Sequence, residues 1–198
     1  MKIAGIILAG GLSSRMGKDK AQLLLDHKTL LTRHIGLLSS LKLAATYVSG
    51  HYEHFQCIPD RLPQLGPIGG LYSCVETLIE DYDALFVMPV DMPLLSSHEC
   101  EHLLTQFRHY PQGVYYQPAR FPMILPLSNQ LQAYLSDCVS TTQNNKQRSL
   151  YRLIKTVKLQ AIHYDQENDF RFKNSNTPEE WADCLQTYQA LKATKESS

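Results

Sequence analysis

The segment that most constrains the fold lies near the amino terminus, where Ile3-Ala4-Gly5-Ile6-Ile7-Leu8 is apolar throughout and runs into Ala9-Gly10-Gly11. A short apolar run closed by glycines reads as a strand buried on both faces. A loop must follow it. Beyond that loop, Leu30, Leu31, His34, Ile35, Leu37 and Leu38 recur at helical spacing, and Ala45 to Val48 reads as a second buried strand, which makes a βαβ unit. Pro67, after Gly66, suits the first position of a helix that carries Leu71, Cys74, Val75 and Leu78 toward a core.

Ala84-Leu85-Phe86-Val87-Met88 is the strongest strand candidate, and Pro89-Val90-Asp91-Met92-Pro93 ends it near Asp91. Ser96 and Glu99 have capping-box spacing ahead of Cys100, Leu103, Leu104 and Phe107. Strands are expected at Val114 to Gln117, Met123 to Leu127 and Val157 to Tyr164, and helices at 129–138 and 147–155. Thr177, Pro178 and Glu180 start a last helix through Trp181, Leu185 and Tyr188. Alternating strands and helices with short connections predict an α/β protein with a three-layer, Rossmann-like, mostly parallel sheet. Ligands of such sheets collect outside the carboxyl ends of the strands.

The length of 198 residues suits a single domain, expected over 1–191 with 192–198 as a polar tail. Lys plus Arg and Asp plus Glu number 19 each, so no global field draws the chain to nucleic acid or to an anionic membrane, and neither is expected as a partner. Any phosphate binding must come from a local site. Five cysteines without a CxxC pair point to reduced thiols and a cytoplasmic protein. The apolar start imitates a signal peptide, but Gly5 interrupts it and it ends in Gly10-Gly11 before Arg15, Lys18 and Lys20. No stretch reaches the roughly 18 apolar residues of a membrane span.

The first loop after a strand, Leu8-Ala9-Gly10-Gly11-Leu12-Ser13-Ser14-Arg15-Met16-Gly17-Lys18-Asp19-Lys20, combines glycines that let main-chain N–H groups approach a ligand with three cations. That combination suits a polyphosphate. Neither GxxxxGK[ST] nor GxGxxG is present, so the P-loop and dinucleotide fingerprints do not apply. Asp91, where a buried strand meets the solvent edge, is the candidate ligand for Mg²⁺, which takes oxygen donors along with waters and substrate phosphates. Asp60 with Gly66-Pro67-Ile68-Gly69-Gly70 offers a third carboxylate-and-glycine junction at the same sheet edge.

His98-Glu99-Cys100-Glu101-His102 satisfies the HExxH pattern of zinc peptidases. The apolar face of that helix is 100, 103, 104 and 107, which leaves both histidines on the polar side and solvated, without a third ligand. Tyr115, Tyr116 and Trp181 read as packing residues rather than a base-stacking platform.

LAGGLSSRMGKDKAQL, LGPIGGL, VDMPLL and NSNTPEE, in this order, resemble the motifs of the molybdenum cofactor guanylyltransferases, members of the nucleotide-diphospho-transferase superfamily. The resemblance covers residues 3–110 well and 145–185 loosely. It implies transfer of GMP from GTP to molybdopterin carrying molybdenum (Mo-molybdopterin), with pyrophosphate released and Mg²⁺ required. It further implies that Leu8, Ala9, Gly10 and Gly11 contact GTP, that Lys20 binds phosphate, and that Asp60 contacts the nucleotide. Asp91 would be shared by GTP and Mg²⁺, and Arg15 is the arginine of the signature loop. Asn176 falls where the family reads NINTP and is a candidate for a second metal or substrate contact. Ser49, also a candidate GTP contact, stands where some relatives offer an asparagine. Insertion proteins for the cofactor and recipient molybdoenzymes are the implied protein partners.

The chemistry agrees with these residue types. The attacking phosphate oxygen is already ionised at neutral pH, so the site must align it with the α-phosphorus and neutralise the leaving pyrophosphate rather than supply a base. Three alternatives remain at this level: cytidylyl transfer to molybdopterin, a sugar-phosphate nucleotidyltransferase, and a non-catalytic nucleotide or cofactor carrier.

Overall fold

Strand β1 (Ile3–Leu8) forms with the expected bounds and becomes the hub of the molecule. The structure is a computed structural model that describes residues 1–10, 19–62, 64–140 and 149–196; of Gln166, Lys195 and Glu196 only the backbone is described. A 3-10 turn (Lys20–Gln22) leads to a small hairpin, β2 (Leu24–Leu25) and β3 (Lys28–Thr29), and then to helix α1 (Leu30–Ser40), which the Thr29 side chain caps. Strands β4 (Ala45–Ser49) and β5 (Cys57–Ile58), helix α2 (Gly66–Leu78) and strand β6 (Ala84–Pro89) follow. Helix α3 (Ser97–His109) precedes the antiparallel pair β7 (Val114–Gln117) and β8 (Met123–Pro126). The chain ends with α4 (Asn129–Ser140), α5 (Leu150–Thr156), β9 (Gln160–His163), a 3-10 stretch (Gln166–Phe172) and α6 (Pro178–Glu196).

Seven of these strands make one sheet in the order β5-β4-β1-β6-β8-β7-β9. β5, β4, β1 and β6 run parallel, β8 alone is antiparallel to both neighbours, and β7 and β9 are parallel again. This is the mostly parallel sheet expected. All six residues of β6 are buried, as are five of six in β1. Because alternate side chains point to opposite faces, burial of every position means that helices cover both faces. Phe86, Ile6, Ile7 and Leu85 are among the largest fully buried side chains. Each contributes about 1.5–3 kcal/mol of hydrophobic stabilisation relative to exposure.

The chain leaves β1, builds β4 and β5 on one side, and returns through α2 to β6 on the other side. The carboxyl ends of β1 and β6, where Leu8 pairs with Pro89, therefore form the switch point at which an open α/β sheet takes ligands.

Several elements differ from the sequence reading. α2 begins at Gly66, one residue ahead of Pro67, and β9 is confined to Gln160–His163 because Val157 caps α5 and Lys158 has a positive φ. α6 continues past Leu191 to Glu196, and the Lys192 ammonium meets Asp26 at 3.0 Å. The expected start of α5 at 147 lies outside the described residues.

His102 is not solvated as expected. Its Nδ1 stands 2.8 Å from the Tyr116 hydroxyl and its Nε2 3.1 Å from Gln106 Nε2, because β7 packs beneath α3. Glu99 is buried and accepts from the Ser96 amide at 3.0 Å in the expected capping box, with Arg171 Nε at 3.5 Å. The HExxH residues are thus engaged in packing and capping, and His98 is exposed.

Candidate functional site

The switch point opens into a cavity of about 200 Å³ whose walls include Leu8, Ala9, Gly10, Lys20, Asp60 and Asp91. Ser49, Gly66, Pro67, Gly70, Pro89, Val90 and Phe121 complete it. Three loops expected from sequence to share one sheet edge therefore meet in one cavity.

Lys20 is the centre of the polar constellation. Asp19 caps the Lys20–Gln22 turn, its carboxylate accepting from the Ala21 amide at 2.9 Å, and this local cap aims the Lys20 stem. The ammonium donates to Asp91 Oδ2 at 3.1 Å and to Asn176 Oδ1 at 2.5 Å, across 71 and 156 positions of sequence. Lys20 and Asp91 side chains are only 17% and 20% exposed, so water screens this pair weakly. Asp91 follows β6, and its carbonyl accepts from the Ser175 amide at 2.9 Å, which docks the segment before α6 onto the strand end. Asn176 is held in turn by Glu180, whose carboxylate accepts from the Asn176 amide at 2.6 Å and the Thr177 amide at 3.2 Å.

On the opposite wall, Ser49 is buried and its hydroxyl donates to Asp60 Oδ1 at 3.3 Å, while its carbonyl accepts from the Ala9 amide at 3.3 Å. Gly70 is required here: a Cβ on it would lie 2.6 Å from Ser49 Oγ. A Cβ on Gly10 would lie 3.3 Å from Asp60 Oδ2, which measures how near that carboxylate stands to the β1 loop. Burial pushes the Cys74 thiol beside Ser49 up to about 12, so it stays a neutral packing group.

Of the residues singled out from sequence, the structure brings Leu8, Ala9, Gly10, Lys20, Ser49, Asp60 and Asp91 to the cavity, with Asn176 bonded to Lys20 at its rim. Gly11 and Arg15 lie outside the described residues. Phe121, on the β7–β8 connection, was legible only as part of a weakly matching stretch, yet it lines the cavity. Tyr52 and Glu180 support the site from behind, and an aromatic residue three positions past β4 carries no signal that would have found it.

Among the described residues no group of three or more His, Cys, Asp or Glu side chains forms a metal cage. The single Asp91 carboxylate, bonded to Lys20 through Oδ2, fits Mg²⁺ in the mode where one carboxylate and substrate phosphates share the ion, and does not fit a closed all-protein site.

A cation, a carboxylate and an amide converging on a backbone-lined cavity at a sheet switch point define a class: α/β proteins that handle a phosphorylated ligand. Comparison narrows it. The MobA-like NTP transferase domain model matches residues 5–162. The molybdenum cofactor guanylyltransferase of Xanthomonas euvesicatoria pv. vesicatoria is 35% identical over 178 residues, covering 90% of this chain and 92% of that protein. The molybdopterin-guanine dinucleotide biosynthesis protein A of Archaeoglobus fulgidus superposes with a TM-score of 0.70 at 19% identity, covering 98% of this chain and 100% of that one. A 4-diphosphocytidyl-2C-methyl-D-erythritol synthase from Anaerococcus prevotii shares the fold at a TM-score of 0.67 and 9% identity, over 95% and 98% of the two chains. The chain belongs to the MobA-like NTP transferase family, and is a nucleotidyltransferase.

Proposed function

We propose that this protein transfers GMP from GTP to Mo-molybdopterin, forming the guanine dinucleotide cofactor and pyrophosphate. The observation that carries the reading is the Lys20 ammonium held by Asp91 and Asn176 at the meeting of β1 and β6. Similarity to a molybdenum cofactor guanylyltransferase over 90% of the chain supports the choice of substrates.

In this reading a phosphate oxygen of the acceptor attacks the α-phosphorus of GTP, a new P–O bond forms, and the bond to the β-phosphate breaks with its electron pair leaving on pyrophosphate. No proton need be removed, so the cavity acts by alignment and charge. The backbone at Leu8, Ala9 and Gly10 receives the nucleotide, and Asp60, steadied by Ser49, faces its more distant part. Lys20 neutralises the equatorial and leaving oxygens, with Arg15 and the Gly11 amide as further donors from the signature loop. Asn176 keeps the ammonium aimed into the cavity. Bound through Asp91 and the phosphates, Mg²⁺ would supply additional charge neutralisation. One such charge-assisted donor is worth about 2.7–4 kcal/mol of barrier by analogy with oxyanion holes.

We place the activity in the cytoplasm, consistent with five free cysteines, and assign the product to insertion proteins and recipient molybdoenzymes. The test is to incubate the protein with Mg²⁺, Mo-molybdopterin and each nucleoside triphosphate labelled at the α-phosphate. Label from GTP in the pterin product is expected. Label from CTP instead would reassign the enzyme to cytidylyl transfer, and label from none would leave a carrier.

A further inference from the structure

We propose that Tyr52 is a positioning residue for nucleotide binding, holding Asp19 at a fixed distance from the sheet and thereby setting where Lys20 points. This rests on the nucleotidyltransferase reading of the site and adds a residue that no motif in the sequence marks.

The Tyr52 hydroxyl stands between two acceptors, the Ala9 carbonyl at 3.0 Å and Asp19 Oδ1 at 3.3 Å. Its one proton serves both. Ala9 is the fixed end of this bridge, because it continues β1 and its amide bonds the Ser49 carbonyl on β4. Asp19 is the positioned end. It lies ten residues further along the chain, near the end of the signature motif, and the same Oδ1 caps the turn that carries Lys20. One hydroxyl therefore joins the residue before the glycines to the residue before the lysine.

Tyr52 is itself held rigidly. Its amide donates to Cys57 Sγ at 3.3 Å and the Cys57 thiol donates back to the Tyr52 carbonyl at 3.2 Å, tying the turn to β5. Its ring lies over Gly50, where a Cβ would stand 3.0 Å from Cε2. Burial first, and then the negative charge of Asp19, push the hydroxyl above its ordinary titration range. It remains a donor at any working pH. The placement of the bond argues for more than a structural role: Ala9 lines the cavity, Asp19 caps the turn that carries Lys20, and the path from ring to ammonium is Tyr52, Asp19, Lys20.

The experiment measures calorimetric binding of Mg²⁺ complexes of GTP, CTP, ATP and UTP to the wild type, then repeats it for the best-bound nucleotide with Tyr52→Phe, Lys20→Ala and the double variant. Tyr52→Phe keeps the ring and should retain the wild-type melting temperature within about 2 °C while binding about tenfold more weakly. On the Lys20→Ala background the same substitution should change affinity less than threefold, because its effect passes through the ammonium. A Tyr52→Phe protein that binds as tightly as wild type, or losses that multiply in the double variant, would overturn the inference alone. A wild type that binds no triphosphate would overturn the functional reading and this inference together.

Discussion

Lys20→Ala separates catalysis from stability, because the two effects differ in size. The ammonium sits 3.1 Å from Asp91 with both side chains about four-fifths covered, at 17% and 20% exposure. Fully exposed pairs contribute about 0–1 kcal/mol, and breaking fully buried ones costs about 3–5 kcal/mol. For this intermediate case, with one further bond to Asn176 lost, folding should weaken by about 1–2 kcal/mol. In a chain of this size that corresponds to a melting temperature lower by about 2–8 °C. Transition-state stabilisation should fall by about 2.7–4 kcal/mol, a rate loss of about 100- to 1000-fold. The assay is single-turnover transfer of labelled GMP at saturating GTP, run beside a thermal melt of the same preparation. Transfer within threefold of wild type, with the melting temperature lowered as expected, would show that Lys20 is a structural ion-pair partner only.

Three further outcomes follow from particular contacts. Gly70→Ala should displace the Ser49 hydroxyl, which a Cβ would approach to 2.6 Å, so GTP affinity should fall severalfold and stability by about 1–3 kcal/mol; calorimetry and a melt that both match wild type would contradict the close approach. Glu180→Ala removes the acceptor of the Asn176 and Thr177 amides and should cost about 1 kcal/mol together with a lower kcat, and a stability loss with kcat intact would separate Asn176 from the reaction. His34 is buried, its Nδ1 at 2.7 Å from the Leu30 carbonyl, and burial holds its pKa below the ordinary value against the opposing pull of the Leu30 and Met92 backbone. The unfolded chain therefore takes up a proton near pH 6.5 that the folded chain refuses, so stability should be full above that pH and fall below it with a slope approaching about 1.4 kcal/mol per pH unit. Denaturant titrations between pH 7.5 and 5 should show that slope in the wild type and less of it in His34→Phe; equal slopes would contradict it.

Much of the fold was legible because buried parallel strands write themselves as uninterrupted apolar runs. β1 and β7 have the expected bounds, and β4, β6 and β8 differ by one residue at their ends. Capping chemistry located α3 through Ser96 and Glu99 and α6 through Thr177 and Glu180. β2, β3 and β5 were missed, since two residues have no periodicity to read. Within the site, glycines and charges marked the loops, but only the tertiary structure shows Lys20 meeting Asn176 from 156 positions away. His102 escaped because solvation was inferred from its helical face, whereas Tyr116 of β7, packed beneath α3, reaches that face. Tyr52 escaped because its role depends on the Ala9 carbonyl and the Asp19 carboxylate meeting at its hydroxyl, and no local pattern encodes that meeting.

The central claim is that one triphosphate and its metal are taken between the β1 loop and Asp91. Crystals of the protein grown with a non-hydrolysable GTP analogue and Mn²⁺, examined at the manganese absorption edge, test it most directly. The account predicts an anomalous peak at coordinating distance, about 2.0–2.2 Å, from an Asp91 carboxylate oxygen, with the phosphates against Lys20. A nucleotide bound with its phosphates away from both residues would contradict it.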